Sequence, residues 1–217
     1  MTARARYLLA EHVASRRWIG PFLFLLAGII VLYSQPPNPV LSTAGTVSAW
    51  LLPAMSWWCY AFLDTSEPGE RQVMIAVLGP RRFAAARLLG LVALVAGASL
   101  FTFVVPLVLG LFEHTPRAGE VGLVLFANGL CGLAGAGLAA LISEPIFRGR
   151  AWPLLLGVGA LVLSIPAGVS PAIATARALD RKDPGAVPSH LAPETLGIAL
   201  FLALAIPLAA ELWRRRE

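Results

Sequence analysis

Six long apolar runs, separated by clusters of arginine or by Pro/Gly-rich breaks, constrain this chain more than any other feature. They fall at residues 18–33, 43–63, 88–112, 121–142, 152–167 and 195–213. A helix crosses the hydrocarbon of a bilayer in roughly 20 residues, so each run reads as one transmembrane span. Little chain is left between them, which excludes a second folded domain. Residues 1–217 therefore read as a single all-α integral membrane domain of six transmembrane helices. Composition agrees: 58% of residues are hydrophobic and 13% charged, with mean hydropathy +0.76, outside the range of soluble globular chains. The first run ends in YSQPPNP rather than at a small-residue cleavage site, so it is expected to stay as a span and not to be removed as a signal peptide.

The arginines set the orientation. Arg4, Arg6, Arg16 and Arg17 precede the first run, and Arg71, Arg81, Arg82 and Arg87 lie between the second and third. Arg148 and Arg150 separate the fourth and fifth, and Arg214, Arg215 and Arg216 follow the sixth. Thirteen of the 17 basic residues thus fall on one side, against Arg117, Arg177, Arg181 and Lys182 on the other. The positive-inside rule places that side, and both termini, in the cytoplasm of a cell (plasma) membrane protein. Trp18, Trp152 and Trp213 mark the same boundary, where indole rings anchor. Topology accounts for the basic excess and the pI near 10.0 without a nucleic-acid partner.

Two short segments are amphipathic rather than apolar. In SEPGERQVMIAVLGPRR, Ser66 can cap a helix whose first turn holds Glu67, Pro68 and Glu70. Val73, Met74, Val77 and Leu78 then line one face, and Gly79-Pro80 stops the helix. The segment is either an interfacial connector or a docking element for a cytoplasmic partner. At the N-terminus, residues 1–17 place Ala5, Leu8, Leu9 and Val13 on one face and Arg4, Glu11 and Ser15 on another. An interfacial elbow turning at Trp18 and Gly20 into the first span is expected. Between the last two runs, residues 171–179 have helical composition but are too short to cross, so 168–194 is a re-entrant or surface helix, or a Pro/Gly loop.

The chain carries no chemistry of its own. Its one lysine, Lys182, lies in DRKDP, so no Walker A loop is present to cradle a nucleotide. His12, His114 and His190 sit in separate surface segments, which argues against a metal centre, and Cys59 and Cys131 each read as small buried groups inside a span. The span interiors lack charged residues of the kind an ion-coupled carrier places near the midplane. What polarity they hold comes from Ser56, Ser99, Thr102, Asn128 and Ser164. Asn128 is either interhelical glue or a substrate contact. In GLCGLAGAGLAA, Gly129, Gly132 and Gly135 give the fourth span a small face that suits close packing or a dimer seam. Pro53, Pro106, Pro166 and Pro207 are expected to kink four spans.

This arrangement resembles the membrane subunits of ABC-2 type exporters, the permease partners of ATP-binding cassette ATPases. The resemblance rests on an amphipathic elbow, six spans, a charged segment at 64–87 and the 168–194 region. Its motif is Glu70-Arg71, the apolar stripe to Leu78, Pro80-Arg81-Arg82, and Arg87. Gln72 and Val73 stand where the family carries glycine and threonine. The resemblance implies a short cytoplasmic coupling helix that seats in a separate ATPase, with Glu67, Glu70, Arg71, Val73, Met74, Val77, Leu78, Arg81 and Arg82 at the contact. It further implies a second copy of the chain or a related six-span permease, surrounding membrane lipids, and ATP and Mg bound only by the partner. Ser56, Asn128 and the three glycines would pack the bundle or line its path. An uncharged interior favours amphipathic or hydrophobic cargo. The competing expectations are an ion-coupled carrier and a non-transporting accessory membrane subunit.

Overall fold

The computed structural model describes residues 2–34, 36–65 and 68–143. The expected spans at 152–167 and 195–213, the segment 168–194, and Ser66 and Glu67 lie outside the described residues, as do Pro166 and Pro207. The described chain is helical: α1 Thr2–Ala14, α2 Ile19–Leu32, α3 Val40–Leu63, α4 Pro68–Leu78, α5 Pro80–Val108 and α6 Ala118–Ile142. No strand occurs among the described residues beyond one isolated bridge between Asn38 and Phe112.

Two helices are each long and apolar enough to cross a membrane, Pro80–Val108 with 29 residues and Ala118–Leu141 with 24. Arg4–Ala14 and Ile19–Leu32, bent by 81° at their junction, make a third if the pair is one span. These helices point to a membrane protein, with two or three candidate spans where the apolar runs of this region led us to expect four.

Two of the expected spans do not stand as single long apolar helices. The run at 18–33 forms a helix of only 14 residues, about 21 Å at 1.5 Å per residue, short of the ~30 Å hydrocarbon layer. Residues 15–18 are spent on the corner with α1. The run at 43–63 becomes the 24-residue α3, which is long enough, but Thr43, Thr46, Ser48, Ser56, Trp50, Trp57 and Trp58 dilute its apolar content. The surroundings of α3 explain that composition. It packs against α2, α5 and α6, and 14 of its 24 residues are buried. Hydroxyls are tolerated in such a place because each has an acceptor for its one proton: Ser56 donates back to Leu52 O at 2.9 Å, and Ser48 has Ala44 O at 2.8 Å and a side-chain acceptor on α6 at 2.6 Å within reach.

The core runs down α3, where Leu51, Met55 and Cys59 have no exposed surface, and meets Leu25 of α2. α6 packs against the backbone of α3 at Gly135. A Cβ there would lie 2.6 Å from the Leu52 carbonyl oxygen and 3.0 Å from the Ser56 nitrogen, so only glycine fits. At one end of the bundle the α2–α3 and α5–α6 connections are stitched together. Asn38 donates its backbone N–H and its side-chain amide to Leu111 O, at 3.1 and 3.2 Å, and its own carbonyl accepts from Glu113 N at 2.9 Å.

At the opposite end α1 folds back against α5. The corner is closed by Ser15 N donating to Glu11 O at 2.9 Å and Ile19 N to Arg16 O at 3.2 Å, with Arg16 in the left-handed region at φ 58°. The buried face of α1 is Ala5, Leu8 and His12, with Leu9 half-buried. This corrects the expected apolar face, since Val13 is 60% exposed while His12 has no exposed surface. The spacing 5, 8, 12 keeps one stripe on a 3.6-residue period, and the imidazole earns its place in it by hydrogen bonding.

Candidate functional site

Eight of the nine arginines in the described residues gather at the end where α1, the close of α3, α4 and the start of α5 meet. Two of them finish α3. Arg17 donates to the Asp64 carbonyl oxygen and pairs with its carboxylate at 3.0 Å. Arg87 donates to Leu63 O and stacks over Phe83, 5.5 Å from the ring centroid. The last carbonyls of a helix have no intrahelical partners and carry its negative dipole end, so two guanidinium groups there satisfy both needs. The half-buried Arg87 side chain thus reaches back to α3 rather than out from the bundle.

α4 hangs between α3 and α5 at this end. Its limit is sharp because Gly79 adopts φ 77° and ψ 150°, a region that excludes side chains, and Pro80 then opens α5 with no N–H to lose. Arg81 and Arg82 therefore stand, exposed, on the first turn of α5 rather than on α4. α4 packs against α5, and its exposed Glu70 accepts a hydrogen bond from the Tyr7 hydroxyl of α1 at 3.3 Å. The expected stripe is divided. Met74 is half-buried, whereas Val73 and Val77 are 62% and 75% exposed. The side chains of Arg71 and Leu78 lie outside the described residues.

The second set of singled-out residues lies inside the bundle. Asn128 of α6 is 1% exposed. Its Oδ1 accepts from the Ser48 hydroxyl of α3 at 2.6 Å, and its Nδ2 donates to Thr102 Oγ1 at 3.1 Å and to Ser99 O at 3.5 Å on α5. One amide thus ties three helices. Ser99 Oγ is buried beside it with no hydrogen-bond partner among the described residues. Ser56 faces the α3–α6 seam, where its backbone nitrogen is one of the atoms closest to Gly135. A Cβ on Gly132 would lie 2.7 Å from Val95 Cγ1, and on Gly129 it would meet nothing within 4 Å. The three glycines therefore do different things despite their regular spacing.

Reading the sequence missed the knot around His12. Its Nδ1 lies 3.0 Å from Thr65 Oγ1, Trp58 Nε1 lies 3.2 Å from its Nε2, and Phe62 meets the ring edge-on at 5.5 Å. A signal existed, because His12 continues the stripe of Ala5 and Leu8. Among the described residues no group of three or more His, Cys, Asp or Glu side chains could hold a metal ion, and Cys59 and Cys131 are buried free thiols. No family model, curated protein or solved structure matches the chain.

Proposed function

We propose that the chain is the membrane permease subunit of an ATP-driven exporter, and that α4 is the element through which a separate ATPase acts on it. The observation that carries this reading is the setting of α4. A short amphipathic helix stands at the arginine-rich end between two longer helices, is fixed to α5 and to the elbow, and turns Val73 and Val77 away from its own bundle. Exposed Val73 and Val77 follow exposed Glu70 on α4 and precede exposed Arg81 and Arg82 on the first turn of α5, a mix of apolar and charged groups that suits a protein interface. A push on α4 reaches α5 through the short break at Gly79 and reaches α1 through Tyr7. In this reading the arginine-rich end is cytoplasmic and nucleotide chemistry belongs wholly to the partner.

The test reverses the charges of α4. The double variant E70R/R71E should lose most ATPase co-purification and substrate-stimulated turnover, since charge reversal at an interface rim turns attraction into repulsion. Membrane insertion should be unchanged, and the variant R117E, at the opposite end, should retain both activities. Full partner binding and full transport in the double variant would make α4 an interfacial connector and remove the reading.

A further inference from the structure

We infer that His12 is a latch that holds the elbow helix to the end of α3 only while its ring is neutral, so that proton uptake by His12 releases the elbow. The inference is independent of the exporter reading. It follows from counting donors. The Thr65 hydroxyl donates to Ala61 O at 2.8 Å, so its oxygen is left to accept, and His12 Nδ1 must be the nitrogen that carries the proton. The indole of Trp58 can only donate, so His12 Nε2 must present its lone pair. Both ring nitrogens are assigned, and the imidazole bridges two α3-side groups as one specific neutral tautomer. A second proton would point Nε2–H at the Trp58 N–H across 3.2 Å, replacing a hydrogen bond by a clash of two donors.

The surroundings offer the imidazolium little compensation. The charged groups of the elements packed here are Arg4, Arg6, Glu11, Arg16 and Arg17 on the elbow and its corner, Asp64 after α3, Glu70 and Arg71 on α4, and Arg81, Arg82 and Arg87 on α5. The Asp64 carboxylate is engaged by Arg17, Glu70 by Tyr7, and the edge of Phe62 closes another side. Burial, followed by the charge of Arg17, pushes His12 down from 6.5 to about 4. The sign follows. A released elbow takes up a proton near pH 6.5 and the latched one refuses it until about pH 4. Release should therefore grow about tenfold per pH unit across that window and be independent of pH above it.

The full-length protein in neutral-lipid nanodiscs provides the test, read by amide hydrogen exchange of a peptide covering residues 2–14 and corrected for intrinsic rates. Exchange of this peptide should accelerate about tenfold per unit as pH falls below about 6.5, while peptides from the middle of α6 stay flat. His12→Gln offers a carbonyl to Trp58 and an amide N–H to Thr65 without titrating, so its elbow should stay protected at every pH. His12→Ala should expose the elbow already at neutral pH. If His12→Ala also disturbs α6, the wild type and His12→Gln decide between them. An elbow as flat with pH in the wild type as in His12→Gln, or as acid-sensitive in His12→Gln as in the wild type, would overturn the latch.

Discussion

At the scale of single residues, Asn128 shows how an amide survives in an apolar interior. Each of its polar atoms faces a named partner on another helix, so deleting the side chain leaves the Ser48 and Thr102 hydroxyls facing a gap. A buried polar group stripped of its partner costs about 1–3 kcal/mol, more than the ~0.6 kcal/mol that interhelical polar pairs average in membrane proteins. Asn128→Ala should therefore lose roughly 1–3 kcal/mol in a detergent unfolding titration. The triple variant N128L/S48A/T102V removes both sides of each contact and should lie within about 1 kcal/mol of the wild type. A silent Asn128→Ala would show that the amide is not holding the helices. The need of Asn128 for a partner was legible in the sequence, because an amide stands alone in an apolar run. The identity of the partners was not, since Ser48 lies 80 positions away and no periodicity connects them. His12 failed for a different reason. Counting it as polar hid its place on the Ala5–Leu8 stripe, and only donors on Thr65 and Trp58 make a buried imidazole acceptable there.

At the scale of elements, closeness between helices depends on what faces each small residue rather than on the spacing of small residues. Gly135 meets backbone, which cannot yield; Gly132 meets the side chain of Val95, which can turn; Gly129 meets open space. Gly135→Ala should cost about 1–3 kcal/mol by prying α6 from α3. Gly129→Ala should be neutral or stabilise slightly, because alanine orders a helix better than glycine. Unfolding midpoints measured for the two variants in one detergent check the contrast, and equal effects would refute it. Helix limits set by local chemistry were readable in advance, as with the stop at Gly79-Pro80. Limits set by tertiary contact were not. α5 continues back through Arg81, Arg82 and Arg87, residues read as part of the charged segment 64–87 ahead of the span, and Arg87 reaches Leu63. The elbow corner likewise takes residues 15–18 from the first apolar run and leaves α2 short.

At the scale of the whole molecule, the described helices have two chemically different ends. One holds eight arginines, and the other is closed by the Asn38–Leu111 stitching and carries Arg117 alone. If the arginine-rich end faces the cytoplasm, a cysteine placed at exposed Thr115 should react with an impermeant maleimide on intact cells. One placed at exposed Gly69 should react only after permeabilisation, against a quiet background because Cys59 and Cys131 have no exposed surface. Labelling of both positions from the same side would show that α5, the long helix between them, does not cross. The sheltered position of α3 carries one more consequence, for the order in which the protein is made. The partners that complete the packing of this helix reside largely on α5 and α6, which leave the ribosome later. While it waits, the Ser48 hydroxyl lacks the Asn128 amide and the Gly135 side of the seam is missing. Packing of this region is thus a collective event, in which the central helix is completed only by the arrival of its neighbours.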